Sequence, residues 1–171
     1  MAVAFIALGS NLGDREANLR AALDAVGRAG RVTDVSSLYE TDPVGPEQPL
    51  FYNAVCRIET ELEPDTLLTA LKAIEADLGR DPAGERWGPR VIDLDILMYG
   101  ELTVDQPWLR IPHPRLSERA FVLVPFAEIA PDVDVPGMGR VRELAEAAGE
   151  AGVRLVKGQG WESEPVPDPG S

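Results

Sequence analysis

Hydrophobic positions along this chain follow two periods in turn, one of two residues and one of about 3.6. Residues 2–9 are an apolar run ending at Gly9, and they predict a first strand. Ser10-Asn11-Leu12-Gly13-Asp14 interrupts the run and offers Asn or Asp as a helix N-cap. Leu19, Ala22, Leu23 and Val26 then recur at helical spacing, predicting a helix over about 14–28 that stops at Gly27 and Gly30. Residues 31–40 alternate as a strand, and Thr41 to Pro49 holds three prolines in nine residues, which makes a stiff loop. A strand is expected over 50–62, with Phe51, Asn53 and Val55 on one face and Tyr52, Ala54 and Cys56 on the other. Pro64 opens a second helix over about 64–79, with Leu67, Leu71, Ile74 and Leu78 as its apolar stripe and Gly79 as its C-cap. After a polar loop at 80–90 comes a strand at 91–99, then a hairpin-like stretch, helical residues at 115–130 and a last helix at 139–151.

The order is therefore strand–helix–strand–strand–helix–strand with a mostly helical C-terminal third. The strands at 31–40 and 50–62, joined by the proline loop, read as antiparallel. That predicts an α+β fold with a ferredoxin-like βαββαβ core, a mainly antiparallel sheet covered by helices and a C-terminal extension. Residues 1–157 are expected to form one domain. The Gly/Pro/acid-rich segment 158–171 is expected to be a disordered tail.

The net charge of −13 disfavours nucleic acid, whose phosphates need a basic face. Yet residues 80–119 hold six Arg against seven acids, so this stretch is nearly neutral within an acidic protein. That suits a small polyanion such as a nucleotide. No apolar run is long enough to span a bilayer, and the N-terminus lacks the basic region of a signal peptide. The single Cys56 excludes an internal disulfide and fits a reducing cytoplasm; its apolar setting suggests a buried, inert thiol.

The richest chemistry lies at residues 86–96, Arg-Trp-Gly-Pro-Arg-Val-Ile-Asp-Leu-Asp-Ile. On a strand Asp93 and Asp95 face one way and Ile92, Leu94 and Ile96 the other. Two neighbouring acids repel, and a divalent cation resolves the repulsion; carboxylate oxygens suit Mg²⁺, which takes substrate phosphates as further ligands. Arg86 and Arg90 suit phosphate oxygens. Alone, such a pair is more often two solvated acids at a strand end. Asn53, on an otherwise apolar face, suits the edge of a heterocycle or equally a loop backbone. Phe51 and Phe121 read by pattern as core, and His113, the only histidine, as a loop cap or a phosphate ligand.

Several segments together resemble one family. They are Ala7 to Asp14, Ser36 to Thr41, Phe51-Tyr52-Asn53-Ala54, Arg86-Trp87-Gly88-Pro89-Arg90 through Asp95, and Ile111-Pro112-His113-Pro114-Arg115 to Phe121. This set is similar to the 6-hydroxymethyl-7,8-dihydropterin pyrophosphokinases of folate biosynthesis, over about residues 3–135. The resemblance implies transfer of the pyrophosphoryl group of ATP to the pterin hydroxymethyl group, with release of AMP. It implies two Mg²⁺ ions on Asp93 and Asp95. It implies a pterin site of Phe51 and Phe121 around the ring, Asn53 with Thr41 and Val44 at its edge, and Trp87 closing over. Arg80 and Arg90 would offset charge on the transferred group, and Glu75, Ile96, Arg110, His113 and Arg119 would line the ATP site. The partners implied are ATP and the pterin; no nucleic-acid or membrane partner is expected, and the chain is expected to be a cytoplasmic monomer. The chain departs from many relatives at Asp81, Pro82 and Ala83, where basic residues are common, which shifts the burden toward Arg80 and Arg90. A non-catalytic pterin or nucleotide sensor and a metal-dependent phosphohydrolase are the competing readings; production of AMP separates them.

Overall fold

The computed structural model describes residues 1–43, 48–79 and 91–164. In chain order the elements are β1 (Ala2–Ser10), α1 (Arg15–Val26), β2 (Arg31–Val35), β3 (Leu38–Thr41), β4 (Phe51–Thr60), α2 (Pro64–Asp77) and β5 (Asp93–Tyr99). A hairpin of β6 (Val104–Gln106) and β7 (Leu109–Ile111) follows. Next come α3 (Ala120–Ile129), a small hairpin of β8 (Asp134–Val135) and β9 (Gly139–Arg140), α4 (Val141–Ala148) and β10 (Val153–Lys157). Local signals set the helix starts. The Asp14 carboxylate accepts the Ala17 N–H at 3.1 Å, capping α1, and Pro64 occupies the first turn of α2, where no donor is needed.

The main sheet runs β10-β3-β4-β1-β5, with β2 also paired to β4, and every pairing is antiparallel. Period-two alternation divides its side chains between two cores. Ala4, Ile6, Leu8, Ala54, Cys56, Ile58, Leu94 and Ile96 face Leu19, Leu23 and Val26 of α1 and Leu67, Leu71 and Ile74 of α2. Phe5, Ala7, Val55 and Leu97 face Val122, Leu123 and Phe126 of α3 and Val141 of α4. The expected ferredoxin-like core, with its antiparallel centre, is present.

The structure corrects three expectations. The single strand at 31–40 is two strands, broken at Ser36-Ser37. Ser36 bonds Val55 twice: its N–H donates to the Val55 carbonyl and its Oγ accepts the Val55 N–H, both at 2.9 Å. A serine side chain thus takes the place of a backbone ladder rung. The C-terminal third is not only helical, because β10 adds a strand beside β3. Nor does disorder begin at Gly158. Trp161 is fully buried in the α1/α2 core, and its indole N–H donates to the Ser36 carbonyl at 2.8 Å. Residues 165–171 lie outside the described residues.

Among the described residues no helix is long and apolar enough to cross a membrane. Cys56 is fully buried, and loss of hydration pushes its thiol up to about 12. Native protein is therefore expected to resist thiol reagents at pH 8, with labelling that tracks global unfolding; rapid labelling under native conditions would contradict this packing.

Candidate active site

Three adjacent strands assemble the site on the α3 side of the sheet. Gly9 at the end of β1 lies opposite Asn53 of β4 on one side and Asp93 of β5 on the other. Ala7 lies likewise between Val55 and Asp95. Strands are spaced about 4.8 Å apart, so Asn53 and Asp93 stand roughly 10 Å apart on one face. Gly9 leaves room between them for the side chains of β4. A Cβ there would meet Asn53 Oδ1 at 2.8 Å and the Phe51 ring at 3.5 Å. Sequence reasoning read Gly9 only as a strand end; the room it leaves depends on both neighbouring strands.

On the β4 side, Asn53 Nδ2 donates to the Thr41 hydroxyl. Thr41 lies opposite Phe51, and Tyr39 opposite Asn53, so β3 and β4 present these four residues on one face. Asn53 is 7% exposed and Thr41 1%. The Asn53 amide is thus held by a side chain rather than by loop backbone, and its carbonyl oxygen leans over Gly9. Phe51 and Phe121 are half-buried, not sealed in the core as pattern alone suggested. Phe121 opens α3 beside Arg119, whose guanidinium carbon is 5.6 Å from the ring centroid. The chain re-enters β4 through a clasp from α1. Arg15 stacks on Tyr52 at 3.8 Å, bonds the Leu50 carbonyl at 2.9 Å and pairs with Glu40 at 3.2 Å. Asn11 donates to Gln48 at 2.8 Å and to the Pro49 carbonyl at 3.0 Å.

On the β5 side the acids gather. Glu75 of α2 is 2% exposed, and its Oε2 accepts the Leu94 N–H at 2.8 Å, between the two aspartates in sequence. Lys72, one turn earlier, sits 3.5 Å from Glu75 Oε1. Loss of hydration around the Asp95 carboxyl raises its pKa to about 7, and the neighbouring charges of Asp93 and Glu75 push the same way against Arg119 and Lys72. An acid pair at this cost fits a cation. Among the described residues no group of three or more His, Cys, Asp or Glu is arranged to hold a metal ion. The described residues therefore offer Asp93 and Asp95 as a neighbouring carboxylate pair, with no fuller cage among them. That donor set suits Mg²⁺, which keeps waters and takes phosphate oxygens.

His113 Nδ1 accepts the Arg115 N–H at 3.2 Å, so it does cap its turn. Burial first, then the charge of Arg119, lowers its pKa to about 4, so the ring is neutral at pH 7. With Nδ1 accepting, the proton sits on Nε2, leaving a donor for an anion. An imidazole that does not titrate between pH 6 and 8 by NMR is expected; a pKa near 6.5 would contradict this environment. Arg110 is exposed on the β6–β7 hairpin, paired with Asp105 at 3.4 Å. Ile96 packs in the α1/α2 core, on the face opposite Asp95. Val44, Arg80, Trp87 and Arg90 lie outside the described residues.

The fold is that of a ferredoxin-like α+β protein, with a buried amide beside a half-buried aromatic on one strand pair and a pair of acids on the next strand. Residues 5–131 match the family model for 7,8-dihydro-6-hydroxymethylpterin-pyrophosphokinase, and the chain belongs to that family. Similar proteins include the 2-amino-4-hydroxy-6-hydroxymethyldihydropteridine pyrophosphokinases of Pseudomonas aeruginosa, 45% identical over 90% of this chain and 96% of that protein, and of Bacillus subtilis, 50% identical over 77% and 80%. The mitochondrial folate synthesis bifunctional protein of Arabidopsis thaliana is 52% identical over 72% of this chain, which spans 23% of that protein. A solved structure of an HPPK-DHPS in complex with substrates shares the fold with a TM-score of 0.72 at 14% identity, over 85% of this chain and 43% of that one.

Proposed function

We infer that the chain transfers the pyrophosphoryl group of ATP to the hydroxymethyl group of 6-hydroxymethyl-7,8-dihydropterin, giving the pterin diphosphate and AMP in folate biosynthesis. The observation that supports this reading is the row Asn53–Gly9–Asp93: an amide suited to a heterocycle edge, a residue with no side chain and an acid suited to a cation on one face, the outer two about two strand spacings apart. A pterin held at Asn53 with its ring between Phe51 and Phe121 directs its hydroxymethyl arm across Gly9 toward Asp93 and Asp95. The fixed Thr41 hydroxyl orients the Asn53 amide, which offers a donor and an acceptor together.

Asp93 and Asp95 are proposed to hold two Mg²⁺ ions, which when bound neutralise triphosphate oxygens and lower the pKa of the attacking hydroxyl. Glu75, His113 and Arg119 line the nucleotide side in this reading, His113 donating from Nε2 and Arg119 offering a fixed positive charge. Arg110 and Ile96 extend that side on the resemblance alone, as do Arg80 and Arg90 at the transferred group and Val44 and Trp87 at the pterin. Transfer of this kind depends on positioning and on charge stabilisation more than on covalent help. The enzyme is proposed to act as a cytoplasmic monomer with no nucleic-acid or membrane partner.

Gly9→Ala tests this path. The added methyl meets Asn53 Oδ1 at 2.8 Å, so Asn53 or the arm must shift. The expected result is a rise of about tenfold or more in pterin KM, with ATP KM nearly unchanged. Unchanged pterin KM would show that the substrate does not cross Gly9.

A further inference from the structure

The two walls of the pterin slot come from different parts of the chain. Phe51, Asn53 and Thr41 stand on β3 and β4, whereas Phe121 stands on α3. Apolar packing of Val122, Leu123 and Phe126 holds the helix on the sheet, and one polar contact ties its far end to the β3 corner. Glu128, near the end of α3, takes the Ser37 N–H on Oε1 at 2.5 Å and the Ser37 hydroxyl on Oε2 at 2.5 Å. Ser37 is 3% exposed, so its N–H and hydroxyl both need partners. The same carboxylate lies near the Tyr39 phenol: burial first, then the charge of Glu128, pushes that phenol up to about 12. Tyr39 lies opposite Asn53, and two residues on Thr41 lies opposite Phe51. On α3, Phe121 and Glu128 are seven residues apart, about two turns, so they share a helix face. The helix is pinned at one end over the β3 corner and carries the slot's second aromatic wall at the other.

We propose that Glu128 is a positioning residue: by clamping α3 to the Ser37–Tyr39 corner it sets the width and tilt of the slot between Phe51 and Phe121. It touches no substrate. It acts through Phe121 on one side and through Thr41 and Asn53 on the other. Glu128 lies outside the acid cluster, and its sequence context, a helix end before Ala130-Pro131, gives no hint of the role. A displacement of about 1 Å in a binding wall is enough to change affinity tenfold or more.

The inference rests on the pterin reading above, and the test separates the two. Binding of 6-hydroxymethyl-7,8-dihydropterin is titrated by fluorescence with Mg²⁺ and a non-hydrolysable ATP analogue, alongside KM for each substrate and Tm. For Glu128→Ala the expected result is a rise of about tenfold in pterin Kd and KM, with ATP KM within about twofold of wild type. Glu128→Gln keeps an acceptor for the Ser37 N–H and offers its amide to the Ser37 oxygen, so it is expected to recover most of the affinity. Ser37→Ala removes one of the two bonds and provides a milder readout if Glu128→Ala fails to fold; a rise of severalfold in pterin Kd alone is expected. Equal increases in both KM values, or no recovery in Glu128→Gln, would mark a merely structural latch and overturn the proposal. Normal wild-type pterin binding with unchanged Kd in Glu128→Ala and Ser37→Ala overturns it alone. No pterin binding by the wild type overturns the site reading and the proposal together.

Discussion

Asp95→Asn is expected to reduce AMP formation at least about a thousandfold while making the metal-free protein more stable at pH 8. Metal-held charge stabilisation contributes several kcal/mol to transfer of a polyanion, and about 4 kcal/mol is a thousandfold in rate. The amide is nearly isosteric but a poor cation ligand, so the cleft keeps its shape and loses its purpose. The stability effect has the opposite sign. Burial and the neighbouring Asp93 raise the Asp95 carboxyl from 3.8 to about 7 in the folded protein. The folded state thus binds a proton that the unfolded chain releases above pH 4. This group favours folding below pH 4, and the advantage disappears as pH rises through 7. Asn carries no such dependence. A gain on the order of 1–2 kcal/mol, or roughly 3–6 °C in Tm, is expected at pH 8, and none at pH 4. Mg²⁺ with ATP should raise the Tm of the wild type and not of the variant. Near-normal turnover, or a variant less stable than wild type at pH 8, would remove Asp95 from the proposed metal site.

Trp161→Ala is expected to lower stability by about 3–5 kcal/mol, a fall of roughly 10 °C in Tm. The indole is fully buried in the α1/α2 core and donates to Ser36 at 2.8 Å. Arg20 of α1 reaches over it to the Trp161 and Glu164 carbonyls, each at 2.5 Å, and pairs with Glu16 at 3.0 Å. Removing the ring leaves a cavity the size of a bicyclic side chain and orphans the Ser36 carbonyl. Trp161→Phe restores most of the volume without the donor, so it should cost about 1–2 kcal/mol. Both are measured by urea unfolding with Cys56 labelling as a second probe. A Trp161→Ala protein within about 1 kcal/mol of wild type would show that residues 158–164 do not belong to the folded body.

Ser36 and Ser37 show where sequence reading stops. Alternation across 31–40 and 51–60 was legible, and it placed Phe51, Asn53 and Val55 on a common face that the structure retains. The break between β2 and β3 was not, because its causes are distant in sequence. Trp161 holds the Ser36 carbonyl from one side of the sheet, and Glu128 holds Ser37 from the other. Trp161 itself was hidden among Gly, Pro and acidic residues, where composition argues for disorder and one anchoring indole overrides it. The acid pair was legible because period two on a strand needs no tertiary information. Its third acid, Glu75, came from the resemblance alone, since burial of a helix carboxylate against the Leu94 N–H depends on how α2 crosses β5. His113 split evenly in another sense: one nitrogen caps the turn, as residue context favoured, which leaves the other nitrogen free to donate.

We propose one cleft that joins a pterin and a nucleotide for pyrophosphoryl transfer. Incubating the full chain with ATP, Mg²⁺ and 6-hydroxymethyl-7,8-dihydropterin and resolving the nucleotides tests it most directly. AMP is expected in equal amount to the pterin diphosphate, with no AMP when the pterin is omitted. ADP as the product, or phosphate release that does not depend on the pterin, would contradict it.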